Sequence, residues 1–157
     1  MTNWQQGSIE PDDAAIQALR DSWHWMLGSD WEPILFSAIG DVFFSVAAGS
    51  VWWLSTATGS LEQIADSREH FEILLQGSDV DEWFLPGLAL ALREHGKPLQ
   101  TDECYTYGTF PVFEQGSFSV ENMHPIAAAE HFRVSGNLHE GIRGLPDGAQ
   151  AGVVLDV

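Results

Sequence analysis

Apolar residues near the start of the chain recur every three or four positions, which is the spacing of one face of an α-helix. Asp12 and Asp13 would lie at the positive end of its dipole, and Gly28 can adopt the left-handed conformation that ends a helix. The pattern therefore predicts an amphipathic helix over 11–27, followed by a turn at 29–33. Its apolar face consists of Ile16, Leu19, Trp23, Met26 and Leu27.

From residue 41 the apolar positions change to short runs of β-branched and aromatic residues. The runs 42–46 and 51–54 flank Ala48-Gly49-Ser50, which predicts a β-hairpin. Because side chains alternate across a strand, Trp52 and Trp53 should point to opposite faces. One of them is then covered by another layer or available to a partner. Residues 61–65 are a candidate third strand.

Two helices are predicted in the middle of the chain. The first follows an acid-x-x-Glu box at 66–69, and the second opens with Asp79, Asp81 and Glu82. The helix dipole favours acidic side chains in the first turn, so stabilising the start of the helix is the simplest role for these three residues. Pro86 lies close enough to that start to be tolerated or to kink the helix.

Beyond residue 99 the chain is punctuated by Gly, Pro and Asn, and its apolar runs are short. These runs predict strands at 104–107, 117–120, 123–127 and 131–134. The whole pattern predicts a single α+β domain over 1–148, with antiparallel hairpins, an N-terminal amphipathic helix and two central helices. The Gly- and Ala-rich segment 149–157 is predicted to be a frayed tail.

Composition adds a strong electrostatic constraint. The 157 residues include 23 Asp and Glu against six Lys and Arg, a formal net charge of -17, yet 45% are hydrophobic. This is the composition of a folded, negatively charged body, which excludes direct binding of nucleic acid or an anionic membrane and favours a basic partner. Neither a signal-peptide pattern nor a bilayer-length apolar run is present in the sequence, so a cytoplasmic location is predicted.

Motifs for catalysis are scarce. The sequence contains no glycine-rich phosphate loop, no Gly-x-Ser-x-Gly elbow and no His-Glu-x-x-His pair, and its single cysteine, Cys104, is predicted to be a buried thiol. His124, His131 and His139, with neighbouring glutamates, would form a metal site only if their predicted strands paired. Ordinary histidines are the simpler interpretation, so we expect no metal and no cofactor.

Acidic residues in turns are the better candidates for function. Asp102, Glu103, Glu114 and Glu121 have no local capping role and lie near aromatic residues in the sequence. Charges that steer a basic partner and aromatic side chains that anchor it are the usual division of roles in such an interface. The predicted contact residues are Asp79, Asp81, Glu82, Asp102, Glu103, Glu114, Glu121 and Trp52.

An ordered series of short motifs resembles a known family. The series is Gly40-Asp41-Val42-Phe43-Phe44, Gly49-Ser50-Val51-Trp52-Trp53-Leu54, Thr58-Gly59-Ser60-Leu61, Phe71 with Leu74, Glu82-Trp83-Phe84, Cys104-Tyr105, Glu121-Asn122 and Leu145-Pro146-Asp147-Gly148. In order and spacing it resembles the Tdi-type immunity domain, the antidote to DNase toxins delivered by bacterial type VI secretion. The resemblance extends over residues 4–148.

The resemblance implies a small cytoplasmic protein without enzymatic activity that binds the cognate nuclease toxin of its producer. Its acidic residues would then face the basic DNA groove of that toxin. Two other interpretations stay open at this point. One is an adaptor, similar to a chaperone, that loads a toxin onto its delivery machinery, and the other is a metal-dependent hydrolase built on the three histidines.

Overall fold

The computed structural model describes residues 4–145, and a five-stranded antiparallel sheet forms its centre. The α+β class is as predicted, whereas the domain limit at 148 and the tail 149–157 lie outside the described residues. Neighbouring strands are consecutive in the chain, so short turns connect most of them. The strands are β1 (Ser8–Ile9), β2 (Trp31–Ser37), β3 (Val42–Val46), β4 (Val51–Ser55) and β5 (Ser60–Ala65).

The predicted hairpin and third strand are confirmed. In the β3–β4 register Phe43 lies opposite Trp53, and Phe44 lies opposite Trp52. The two tryptophans point to opposite faces as expected: Trp52 packs against a cluster that contains Phe44 and Trp53 against a cluster that contains Phe43. Both indoles are half-buried, because each face of the sheet carries a helical layer.

Helices cover both faces of this sheet. The helices are α1 (Asp13–Ser22), α2 (His24–Leu27), α3 (Arg68–Leu74), α4 (Val80–Phe84), α5 (Pro86–Glu94) and α6 (Ala128–Ile142), after a 3-10 turn at Trp4–Gly7. On one face α1 and α6 pack through Leu19 and Phe132, and on the other α3 and α4 pack through Phe71 and Phe84. Because side chains alternate along β3, Phe44 packs into the first layer and Phe43 into the second.

The helix boundaries refine the sequence predictions. Asp12 caps α1 by accepting a hydrogen bond from the Ala15 amide at 2.8 Å, and the predicted helix is interrupted at Trp23. Ser67, rather than Asp66, caps α3 by accepting from the His70 amide at 3.0 Å. The predicted turn at 29–33 is wrong in its second half, because β2 already begins at residue 31.

A second sheet of two antiparallel strands, β6 (Glu103–Tyr107) and β7 (Met123–Ala127), packs with α5 and α6. The Tyr105 amide donates to the Ala38 carbonyl at 2.7 Å, which joins β6 to the chain just beyond β2. Cys104 is buried, as predicted. The two sheets and α6 thus share one continuous interior.

The predicted strands at 117–120 and 131–134 are wrong. Residues 131–134 lie within α6, where the buried face includes His131, Ser135, Gly136 and His139. Polar and small residues on that face conceal the helical period of apolar residues from a hydrophobicity pattern. Residues 117–120 lie in the irregular connection between β6 and β7.

Gly136 sets the distance between α6 and α1. A Cβ at this position would lie 2.4 Å from the Ser22 carbonyl oxygen, so any larger residue forces the two helices apart. We expect Gly136→Ala to lower the free energy of unfolding by about 2 kcal/mol. Denaturant unfolding measures this value.

Gly141, on the same helix, is the matched control because a Cβ there meets no atom within 4 Å. Gly141→Ala should raise the free energy of unfolding by roughly 0.5–1 kcal/mol through helix propensity. Equal effects of the two substitutions would show that the α1–α6 approach is not tight.

Candidate functional site

A surface groove of about 500 Å³ lies where the start of α5 faces the loop 108–122. Its walls are mainly apolar, with Asp81 of α4 among the lining residues. A concave apolar surface with a small number of polar groups is the usual form of a binding site. The lining residues are Asp81, Leu85, Pro86, Gly87, Leu88 and Phe118.

An unusual backbone conformation forms one side of the groove. Leu85 separates α4 from α5 with φ of 42° and ψ of 55°, a left-handed conformation that is uncommon for a residue with a side chain. Pro86 follows as the first residue of α5, where its missing N–H leaves no helix bond unmade. The sequence predicted a single helix here, with Pro86 tolerated or causing a kink, whereas the structure has two helices, α4 and α5, separated at Leu85.

The opposite side of the groove is an irregular loop that is well braced. The Asn122 amide group bonds both backbone groups of Thr109 and the Ser117 carbonyl at 2.7–2.8 Å. The Lys97 ammonium group donates to the Val120 and Met123 carbonyls at 2.5 and 2.8 Å. These bonds hold the loop that carries Phe118, whose side chain is 42% exposed.

The three acidic residues predicted at the start of the second helix are exposed and belong to α4 or its N-cap. Asp79 occupies the N-cap position but makes no side-chain capping bond, so the predicted capping role is wrong for this residue. Asp81 contributes to the groove, and Glu82 follows it in the first turn. Their carboxylates therefore add negative charge to this side of the molecule.

The acidic residues predicted in turns fall into two separate groups. Asp102 and Glu103 lie at the start of β6, whereas Glu114 and Glu121 lie in the loop that carries Phe118. Since β6 is five residues long, the two groups are separated by the length of the two-stranded sheet, roughly 13 Å. The structure therefore does not bring these four carboxylates together.

Two of the predicted contact residues make local hydrogen bonds within the chain. The Glu103 carboxylate accepts a hydrogen bond from the Gln100 amide at 2.7 Å, which stabilises the turn before β6. Trp52 lies on the sheet face that α1 covers, and its indole N–H donates to the Ser50 hydroxyl at 3.0 Å. Neither residue lines the groove.

A buried polar network that the sequence did not reveal lies between the two sheets and α6. The Asp41 carboxylate accepts hydrogen bonds from the Thr56 amide at 2.9 Å and the Trp53 indole at 3.1 Å. The Thr56 hydroxyl lies 2.8 Å from His131 Nε2, and His131 Nδ1 lies 2.9 Å from the Thr106 hydroxyl. The network connects β3 and β4 through α6 to β6.

Two glycines with positive φ make room for the buried imidazoles. A Cβ on Gly40 would lie 2.2 Å from His131 Nε2, and one on Gly59 would lie 2.6 Å from His139 Nδ1. The two φ values, 86° and 75°, also favour glycine. His139 Nε2 donates to the Thr56 carbonyl at 2.8 Å, so both turns are fastened to α6. Besides the histidines themselves, glycines in turns are the sequence signal for such a region.

Burial governs the protonation of these groups. Removal from water raises the pKa of the Asp41 carboxyl to about 7, although hydrogen bonds from Thr56 and Trp53 act in the opposite direction. Burial lowers the pKa of His131 to about 4 and also lowers the pKa of His139. Both imidazoles are therefore neutral near pH 7, and they act as hydrogen-bonded packing groups.

The three histidines do not assemble as the metal-site interpretation required. His131 and His139 lie on α6 and bond threonines of the interior, whereas His124 is exposed on β7. Within residues 4–145, no three His, Cys, Asp or Glu side chains come close enough to hold a metal ion. Burial also raises the pKa of the Cys104 thiol, which disfavours the nucleophilic thiolate.

The architecture is that of an α+β domain with a groove of mixed apolar and acidic character. It is similar to a solved structure, the crystal structure of Atu4351 from Agrobacterium tumefaciens, with a TM-score of 0.59 at 17% sequence identity. The similarity covers 85% of this chain and 68% of the other, and at this identity it concerns the fold. No protein with a curated description is significantly similar in sequence.

Residues 65–139 match the family described as T6SS immunity protein Tdi1, C-terminal. Over this segment the match confirms the resemblance to the Tdi-type T6SS immunity family that the sequence motifs indicated. The matched segment includes α3, α4, α5 and the two-stranded sheet, and hence both sides of the groove. In the described part of the chain, no helix combines the length and apolarity needed to cross a bilayer.

The buried carboxyl of Asp41 predicts a pH dependence of stability. Its pKa in the folded chain, about 7, exceeds the ordinary value of 3.8, so protonation favours folding and this contribution is lost as the pH rises from about 4 through 7. The variant Asp41→Asn has no titrating group at this position and therefore lacks this pH-dependent contribution to stability. Between pH 5 and pH 7.5 the free energy of unfolding of the wild type should fall by about 2 kcal/mol relative to the variant.

Denaturant unfolding of both proteins at the two pH values measures the difference. His131 has the opposite sign, since its pKa is lowered and its stabilisation is lost as the pH falls from 6.5 toward 4, but it is common to both proteins and cancels. The variant also loses the hydrogen bond from the Trp53 indole, which changes its free energy of unfolding by an amount that does not depend on pH. Parallel stability curves would contradict a buried Asp41 carboxyl.

Proposed function

We propose that this chain is an antidote that binds a cognate DNase toxin in the cytoplasm and blocks its access to DNA. The family match over residues 65–139 carries the immunity role in this proposal. The net charge of -17 supports the nuclease as the target, because a nuclease must present a cationic surface to the phosphates of its substrate. An acidic protein is complementary to that surface.

Long-range attraction suits the task of an antidote. Oppositely charged surfaces accelerate association, which allows a toxin to be captured before it reaches the chromosome. The six Lys and Arg of this chain offset only six of its 23 acidic charges, which leaves most of that field in place. Arg20 forms an ion pair with Glu32, and Arg133 forms one with Glu130. The Lys97 ammonium group donates hydrogen bonds to backbone carbonyls.

The side of the molecule that carries α4 and the loop 108–122 is our candidate for the contact surface. Asp79, Asp81 and Glu82 are exposed there, beside the apolar groove. Glu114 and Glu121 are exposed in the loop that forms the other side. Inhibition in this account is stoichiometric binding and requires no catalytic group on this chain.

Affinity capture tests the function. The chain is purified from producer cells with its bound proteins, and each recovered protein is assayed for DNA cleavage with and without added chain. We expect a basic nuclease whose cleavage stops at one equivalent of chain. A captured toxin that still cuts DNA when saturated would contradict the proposal and favour the adaptor, which binds a non-catalytic region.

Neutralising the carboxylates of α4 tests the steering role. We expect the triple variant Asp79→Asn, Asp81→Asn and Glu82→Gln to associate with the captured nuclease about tenfold more slowly at low salt. Its association rate should also depend less on ionic strength, because salt screens the charges that were removed. Stopped-flow fluorescence measures both quantities.

A control with the same change of charge separates local from global electrostatics. Glu10, Asp30 and Glu140 are exposed and lie outside α4 and the loop. Their combined replacement by amides should slow association by no more than about twofold. Equal slowing by the two triple variants would show that total charge alone matters and would remove α4 from the contact surface.

A further inference from the structure

We propose that the groove between α5 and the loop 108–122 receives an apolar side chain from a basic segment of the toxin. This inference rests on the proposed function and specifies which part of the surface anchors the complex. The occupant is thus a protein segment with lysine or arginine on either side of a large apolar residue. The argument depends on the lining of the groove, its charge and its rigidity.

The lining fits an apolar anchor. Leu85 and Leu88 are half-buried, and Phe118 leaves 42% of its side chain exposed beside them. The volume of about 500 Å³ lies within the range of roughly 300–1,000 Å³ that is typical of ligand sites. Filling it would remove these carbons from water, which is the main source of affinity at the centre of an interface.

The negative charge around the groove favours a toxin segment with basic residues beside the apolar anchor. Asp81 lies in the wall, and Asp79 and Glu82 are exposed on the same short helix. The Lys97 ammonium group on the loop side is bonded to the carbonyls of Val120 and Met123, so it supports the loop from within. An anionic or phosphate-bearing segment would be repelled here, whereas lysine or arginine beside the anchor would be attracted.

The groove is preformed, so binding costs little ordering of this chain. Pro86 restricts the break between the two helices, and the Asn122 side chain fixes the loop at both Thr109 and Ser117. The Phe118 ring also rests edge-on against the Tyr107 ring at 5.7 Å. A rigid site keeps more of its interaction energy as affinity.

Gly87 offers a direct test because it lines the groove and a Cβ there meets no atom within 4 Å. Gly87→Lys would place a long cationic side chain in the groove, where it competes with the anchor and repels the basic flank. Gly141→Lys is the matched control, since this glycine is also exposed and helical with open space at its Cβ. Both variants change the net charge equally.

The affinity of each variant for the nuclease captured by the wild-type chain is measured by isothermal titration calorimetry. We expect Gly87→Lys to weaken binding more than thirtyfold and Gly141→Lys to weaken it less than threefold. As a second pair, Phe118→Ala should weaken binding more than tenfold, whereas Ile73→Ala, which truncates a 69% exposed side chain on α3, should not. Thermal unfolding of each variant confirms that it is folded.

The outcomes separate this inference from the function on which it rests. If the wild-type chain silences the nuclease and both members of each pair bind equally well, the groove is not the anchor site and only this inference fails. If the wild-type chain binds no nuclease, the proposed function itself fails and the inference falls with it.

Discussion

The buried contact between Thr56 and His131 is the constraint on which the rest of this structure depends. The Thr56 hydroxyl lies 2.8 Å from Nε2 of the His131 imidazole. The Thr56 amide donates a hydrogen bond to the Asp41 carboxylate, and the Thr56 carbonyl accepts one from His139. One residue after β4 thereby fastens β3 and α6 together, and His131 extends the network to β6. An unpaired polar group in such an interior is costly, so the partners must keep their relative positions. This fixes the two-stranded sheet, and with it the loop 108–122, against the larger sheet.

The proposed contact surface follows from that arrangement. The loop is held by Asn122 and Lys97, and its residue Phe118 lines the same groove as Leu85 at the α4–α5 break. Loops on a rigid scaffold are the usual place for recognition, because they can vary while the core keeps its packing. In the proposed complex, the acidic composition draws a basic partner toward a groove that is already formed.

The sequence predicted those elements whose signal is local. Runs of aromatic and β-branched residues predicted β3 and β4, residues 61–65 were a candidate for β5, and helical spacing with aspartates at the start predicted α1. The last helix was missed because its buried face contains His131, Ser135 and His139, whose polar atoms are satisfied by residues distant in the sequence. The candidate acidic contact residues could be named only individually, since their grouping depends on how the loop and α4 approach one another. For the same reason Phe118 was not named from the sequence, and the partial covering of Trp52 by α1 could not be foreseen, because it is a tertiary effect.

The central claim is that this chain protects a cell from a DNA-degrading toxin by binding it. The most direct measurement is the survival and chromosomal integrity of recipient cells that lack immunity, in co-culture with the toxin-delivering producer. Recipients that express this chain in the cytoplasm should survive with intact DNA, while those that express Gly87→Lys should be killed and lose their DNA. Equal killing of recipients with and without the wild-type chain would contradict the account.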